Sequence, residues 1–274
     1  FIRKRDFVKF FQIVRKIKLK NKFTILGCGS SLGSPWITNF WGNCSKKNKK
    51  NLRTRCCAHI KYNGISTLID TSPDIKAQFI RNNITDVDAV LYTHEHADQT
   101  SGIFELRPFF WKNKKRINIY GSRKTIKELK LKYDFCFKTK QGYTPIVKDH
   151  VIQNNFFVTK GNNKMEVLSF EVQHGLIKAT AYIVNNIAYL SDCSHIPDKS
   201  KHFLRNLDYL IIDCLRVKFH PGHFNLETAL SISKELKAKK TILTNLHVDF
   251  DYEKLKKKLP SNIVPAFDGM SFNF

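Results

Sequence analysis

The 274-residue chain has no C-x-x-C pair, no internal repeat and no Gly/Ser- or Pro-rich linker. Its seven cysteines are an odd number, and only Cys56 and Cys57 adjoin. That spacing excludes a disulfide framework and fits a reduced, cytoplasmic protein. Cys28, Cys136 and Cys214 read as small core residues. No apolar run approaches the ~20 residues of a transmembrane helix, so no membrane span is expected. Without a linker, one domain over residues 22–274 is expected, and a 42% hydrophobic composition suffices for a sizeable core. The opening "FIRKRDFVKFFQIVRKIKLK" is basic and aromatic, with charges too frequent for a secretory signal. Residues 1–21 are expected to form a poorly ordered leader; an amphipathic membrane-surface helix and a transit-like segment are the alternatives.

Acidic residues are also scarce. There are 23 against 47 lysines and arginines, giving a net charge of +24. Such a surplus makes nucleic acid a candidate partner. The lysines are spread along the chain beside abundant asparagine, isoleucine and phenylalanine, as compositional bias alone would give. Both readings stay open.

Short β-branched and apolar runs occupy 23–28, 56–61, 65–70, 87–92, 116–120 and 146–151, then 165–172, 179–184, 187–191, 208–213, 240–244 and 263–266. Amphipathic segments at 73–82, 123–132, 225–238 and 251–258 interrupt them. "NNI" at 185–187 predicts a tight hairpin turn. Strands come in pairs, then alternate with helices, and the order repeats. This predicts an α/β protein of two stacked sheets with helices outside.

The apolar run at 87–92 breaks into "THEHADQ". Side chains alternate along a strand, so His94 and His96 point to one side, with Asp98 following in the turn. His174, Asp192 and His247 each end a further apolar run. Strand-end loops are where a sheet scaffold presents its site, and four such His/Asp positions predict a metal centre.

The segments "LGCGSSLGSP" (26–35), "TLIDTSPD" (67–74), "THEHADQTSGIFELR" (93–107), "VQHG" (172–175), "SDCSHIP" (191–197), "DCLRVKFHPGHFNLETAL" (213–230) and "ILTNLHVDFDY" (242–252) carry a family likeness. Over about residues 22–268 the chain resembles the metallo-β-lactamase superfamily. Within it, the chain is similar to the branch of the phosphonate-pathway cyclic phosphodiesterase, akin to ribonuclease Z. The resemblance implies a four-layer αβ/βα sandwich of two mixed sheets with outer helices. It implies that His94, His96 and His174 hold one divalent ion, zinc or manganese. Asp192 would bridge to a second ion held by Asp98 and His247, and Asp70 would orient a ligating imidazole. Gln99 stands where the family has another histidine. Its amide is a weak or absent ligand, favouring manganese and a weakly held second ion. Cys44 and Cys56-Cys57 lack zinc-knuckle spacing, so no structural cysteine-bound zinc is expected.

Two ions ~3.5–4 Å apart would share a hydroxide nucleophile at neutral pH. Asp98 is then an expected catalytic residue. The resemblance places His223 at an active-site histidine of the branch, implying a second catalytic residue that acts as general acid or phosphate contact. His220 and Arg216 are candidate substrate contacts; His59, His150 and His195 show no supporting pattern. The expected function is a metal-dependent phosphodiesterase acting on a small or cyclic, nucleotide-like phosphodiester. The rivals are another hydrolase of the same fold, on a thioester or lactam, and a catalytically weakened RNA-binding relative. A homodimer is compatible with the sequence.

Overall fold

The structure, a computed structural model, describes residues 21–139 and 142–274. The expected basic leader thus lies outside the described residues, apart from Asn21. The chain lays down β1 (Lys22–Gly27), β2 (Cys57–Tyr62), β3 (Ile65–Ile69), β4 (Ala89–Leu91), β5 (Ile117–Gly121) and β6 (Val147–Val151) side by side. A second sheet follows, from β7 (Asn155–Lys160), β8 (Asn163–His174), β9 (Ile177–Val184), β10 (Ile187–Leu190), β11 (Tyr209–Asp213), β12 (Lys240–Thr244) and β13 (Ile263–Pro265). A last strand, β14 (Met270–Asn273), returns to the first sheet beside β1.

Each sheet is antiparallel on one side and parallel on the other. Strands β14, β1, β2 and β3 run antiparallel, and β3 to β6 parallel. In the second sheet β7 to β10 are antiparallel and β10 to β13 parallel. Loop chemistry explains the division. Asn63 and Gly64, both at positive φ, close β2 onto β3, and Asn185-Asn186 close β9 onto β10 as expected.

A parallel neighbour needs a crossover, and helices supply most of them. These are α1 (Ile75–Asn82), α2 (Ala97–Thr100), α3 (Arg107–Asn113), α4 (Arg123–Lys132), α5 (Asp134–Phe137), α6 (Asp198–Lys201), α7 (Leu226–Leu236) and α8 (Tyr252–Lys258).

Strand alternation then divides the core into three. Ile25, Ile69 and Leu91 of the first sheet meet Tyr182, Tyr189, Ile211 and Ile242 of the second between the sheets. Their neighbours Leu26, Leu68 and Val90 face outward onto Ile75, Phe79 and Leu129. Leu190, Ile212 and Leu243 face outward onto Ala229, Leu236 and Leu255. Central strands buried on both faces explain the continuous apolar runs. The result is the expected four-layer sandwich. Truncating a residue such as Leu91 or Ile211 to Ala would cost about 2–5 kcal/mol.

Strands β7 and β14 have no counterpart among the expected runs. The first fully buries only Val158 and the second has no fully buried residue; Phe156, Met270 and Phe272 pack half-buried against the inter-sheet core, so neither strand shows a continuous apolar run. Among the described residues no helix is long and apolar enough to cross a membrane.

Candidate metal centre

The loops leaving β3, β4, β8, β10, β11 and β12 meet at one edge of the sandwich. Beyond β4, the chain crosses to the other sheet. Tyr182 Oη donates to the Tyr92 carbonyl (2.7 Å), and the Thr180 amide donates to the Thr93 carbonyl (2.8 Å). These bonds fix His94 at the seam between the sheets, fully buried.

His94, His96 and His174 converge there, their ligand nitrogens all within 4.8 Å of one another. His174 Nε2 and His96 Nδ1 are 3.3 Å apart. A tetrahedral zinc with bonds of about 2.0–2.1 Å holds its nitrogens about 3.3–3.4 Å apart, so the spacing suits a metal. His94 Nε2 is buried with no hydrogen-bond partner, as an atom awaiting a cation would be.

The opposite ring nitrogens are tied back. His174 Nδ1 donates to the Gly222 carbonyl at 2.6 Å. His94 Nδ1 donates to Thr93 Oγ1 (3.0 Å), whose hydroxyl donates to Asp70 Oδ2 (2.8 Å). Asp70 therefore reaches the imidazole through Thr93, a residue the sequence reading did not single out. Burial raises the Asp70 carboxyl well above its ordinary value, against the two donors from Thr93. Burial also drives His94 down to about 3, and lowers His96 with help from the neighbouring His174. Both rings are then neutral at pH 7, the form that ligates.

Asp98 and Asp192 form the far wall, and Gln99 lies between them. Gln99 Nε2 donates to Asp98 Oδ2 and to Asp192 Oδ2, each at 3.3 Å. Its backbone is fixed by the Thr71 amide, which donates to the Gln99 carbonyl at 2.8 Å. Burial and the adjacent Asp192 push Asp98 up to about 6. Burial would raise Asp192 as well, but His94, His223 and His174 around it bring it below the usual carboxylate range.

His247 is not brought to this cluster. Its ring stands edge-on to Trp36 (5.7 Å between centroids), and its Nδ1 lies 3.2 Å from Asp249 Oδ1. What β12 delivers instead is Asn245, which is buried and lines the same cavity. Asn245 Nδ2 donates to Asp192 Oδ1 (3.4 Å) and to Asp213 Oδ1 (3.3 Å). The φ of 61° at Asn245 turns the chain, so strand alternation no longer carries over to His247.

Opposite the three histidines, His223 Nδ1 donates to Asp213 Oδ2 at 2.7 Å, and its ring centroid is 4.6 Å from that of His174. His174, Asp192 and His223 form a second group with ligand atoms within 4.8 Å. Burial works against charge on His223, but Asp213 outweighs it and lifts the imidazole to about 9. Asp213, wholly buried at the end of β11, is itself pushed up to about 6 by burial. Sequence reasoning missed it, although it ends an apolar run as Asp70 and Asp192 do.

His220 lines the cavity beside His223, its Nδ1 accepting from the Gly222 amide at 3.1 Å. Arg216 is not brought in: it donates to the Phe219 carbonyl of its own loop (2.9 Å). The cavity encloses about 630 Å³, with Leu176, Ile177 and Leu215 on its apolar side.

All seven cysteines are buried free thiols. Cys44 Sγ faces the Val248 and Phe250 carbonyls, Cys56 Sγ the Gly29 carbonyl and Cys57 Sγ the Asp70 carbonyl, so these three do not converge. Arg53 ties the Cys44 loop to residues 247–250 through the His247 and Phe250 carbonyls.

Residues 66–245 match the family model of the beta-lactamase superfamily domain. The crystal structure of a diphosphatase from the PhnP family superposes with a TM-score of 0.85 at 33% identity, over 93% of this chain and 98% of that one. Zn²⁺-bound PqqB from Methylobacterium extorquens shares the fold (TM-score 0.72, 16% identity, 92% of this chain and 100% of that one). So does the short form of human tRNase Z (TM-score 0.65, 18% identity, 92% and 98%). Among curated proteins, an octanoyltransferase of Porphyromonas gingivalis is 28% identical over 252 residues, 90% of this chain and 50% of that protein. The chain thus spans about half the length of that relative. Family model, fold and site geometry agree: the chain belongs to the beta-lactamase superfamily, on the branch of the PhnP-family diphosphatase.

Proposed function

We propose that this superfamily hydrolase cleaves a small phosphodiester or phosphoanhydride, with His94, His96 and His174 holding a divalent metal ion and His223 acting as general acid. The observation that carries the reading is the His223–Asp213 pair placed 4.6 Å, ring to ring, from His174 in the same cavity. Zinc or manganese bound there would draw in anionic phosphoryl oxygens and make water more acidic. The rest falls to the chain. With Nδ1–H given to Asp213, the charged imidazole keeps a second N–H, at Nε2, for the leaving oxygen. Water adds to phosphorus, the ester or anhydride P–O bond breaks, and the departing oxygen takes the His223 proton. Asp98 and Asp192 line the same wall and can accept the proton that water gives up.

Likeness to a diphosphatase at 33% identity supports phosphorus chemistry, and a cavity of about 630 Å³ suits a substrate of nucleotide size. The octanoyltransferase is a protein twice as long as the segment it shares with this chain, and its name is that of the whole protein. Metal-reconstituted protein assayed on bis-p-nitrophenyl phosphate, 2′,3′-cyclic nucleotides, a dinucleotide pyrophosphate and an octanoyl thioester tests the reading. Turnover of a phosphorus substrate that His223→Ala reduces about 10²–10⁴-fold is expected. Turnover of the thioester alone would sink it.

A further inference from the structure

We propose that Gln99 and Asn245 take the place of the second metal ion, so that this centre is mononuclear. The inference rests on the metal-site reading above and concerns the ion count that reading leaves open.

A second ion beside the three-histidine site would need Asp98 and Asp192 with free lone pairs, and further donors aimed at the gap between them. The structure aims hydrogen-bond donors there instead. One Gln99 N–H meets each of Asp98 Oδ2 and Asp192 Oδ2, and the Asn245 amide meets Asp192 Oδ1. Both side chains are almost wholly buried, at 1% and 2% exposure, so no solvent competes for these bonds.

The orientation of each amide is set by its partners. Turning Asn245 over would place its carbonyl oxygen against the two acceptors Asp192 Oδ1 and Asp213 Oδ1, 3.4 and 3.3 Å away, with His223 Nδ1 at 3.1 Å the one donor it would meet. Turning Gln99 over would set its carbonyl between two carboxylates in the same way. In the orientation shown, Gln99 fills the gap between the carboxylates with its amide nitrogen, while its Oε1 is buried without a hydrogen-bond partner. His247 is held on Trp36 and Asp249, and His223, which stands beside Asp192, gives its Nδ1–H to Asp213.

The amide N–H groups therefore do for the Asp98–Asp192 pair part of what a cation would do, by supplying positive hydrogen ends to both. They supply no Lewis acidity. The three-histidine site, with its 3.3 Å nitrogen spacing and the orphaned His94 Nε2, is untouched by either amide.

The test is metal stoichiometry on the full chain. Protein stripped with chelator is loaded separately with Zn²⁺, Mn²⁺ and Co²⁺, freed of excess ion, and analysed for bound metal. One equivalent per chain is expected with each ion, lost in His94→Ala. The Co²⁺ form should give an electron paramagnetic resonance spectrum without exchange coupling. The double variant Gln99→His/Asn245→His should bind two equivalents of zinc, and its Co²⁺ spectrum should show coupling between neighbouring ions. Two equivalents in the wild type, or a coupled wild-type spectrum, overturn the inference. A folded double variant still holding one ion overturns the role given to the amides. No bound ion in the wild type, or one that survives His94→Ala, overturns the metal-site reading beneath it.

Discussion

His223 Nδ1 and Asp213 Oδ2 are 2.7 Å apart, and Asp213 is wholly excluded from solvent. With Asp213 titrating at about 6 and His223 at about 9, both partners are charged between those two values. His223 is raised above its unfolded value near 6.5, so the stability its charge contributes is complete below that value and is lost as pH rises through about 9.

Replacing Asp213 with Asn removes the charge that holds the His223 proton. The basic limb of the kcat/KM profile should move from near pH 9 to about 6.5 or below. At pH 8 that shift alone lowers the protonated fraction on the order of 30-fold. Bound metal should be unchanged, because Asp213 is not among the metal-competent groups. A basic limb that stays near pH 9 in the variant would remove His223 as the acid.

Thr93→Val tests how His94, the proposed metal ligand, is held. The variant keeps the shape of the side chain but breaks the path from His94 Nδ1 through Thr93 Oγ1 to Asp70. Loss of such an outer partner weakens a metal site by about 10–100-fold. Chelator competition on wild type and variant reads this directly. An unchanged affinity would mean that Asp70 and Thr93 act only on the fold of the loop.

The gap between Asn245 and His247 shows where sequence reasoning stopped. Both stand in "LTNLHVD", and a histidine three residues past a strand looks like a ligand if the strand simply continues. The chain turns at Asn245, whose φ is 61°, and the alternation ends there. Asparagine is enriched at positive φ but also occupies extended backbone, so residue type alone does not fix such a turn. By contrast, His94, His96, His174 and Asp192 follow directly from strands whose apolar runs are complete, and the structure gathers all four. Fold class was legible for the same reason: the central strands are buried on both faces and show as unbroken runs. Edge strands β7 and β14, with little buried, offered no such pattern.

Gly175→Ala probes the contact between the β8 end and the loop that carries His220 and His223. Gly175 has a φ of 58°, and a Cβ there would lie 3.3 Å from Gly222 Cα. The positive φ costs an alanine about 1–2 kcal/mol, and relief of the contact would move the Gly222 carbonyl off His174 Nδ1. A lower melting temperature in the metal-free protein is expected, together with weaker metal binding. If only the melting temperature falls, the Gly222 carbonyl does not govern the ligating nitrogen.

His59 gives a pH prediction remote from the metal. Its ring lies on β2, buried, with Nε2 2.8 Å from Ser66 Oγ. Burial, aided by Lys61 and Lys22, lowers the imidazole to about 4. A depressed histidine stays neutral in the fold while the unfolded chain takes up a proton. Stability is therefore lost as pH falls below about 6.5, the loss levelling off as pH passes the folded value near 4. A shift of that size corresponds to about 3 kcal/mol between pH 7 and pH 4. Gln at this position cannot titrate and can keep a bond to Ser66. Urea unfolding of metal-free wild type and His59→Gln at pH 7, 5.5 and 4 should show the variant losing about 3 kcal/mol less over that range. Parallel losses in the two proteins would place the acid sensitivity in other groups.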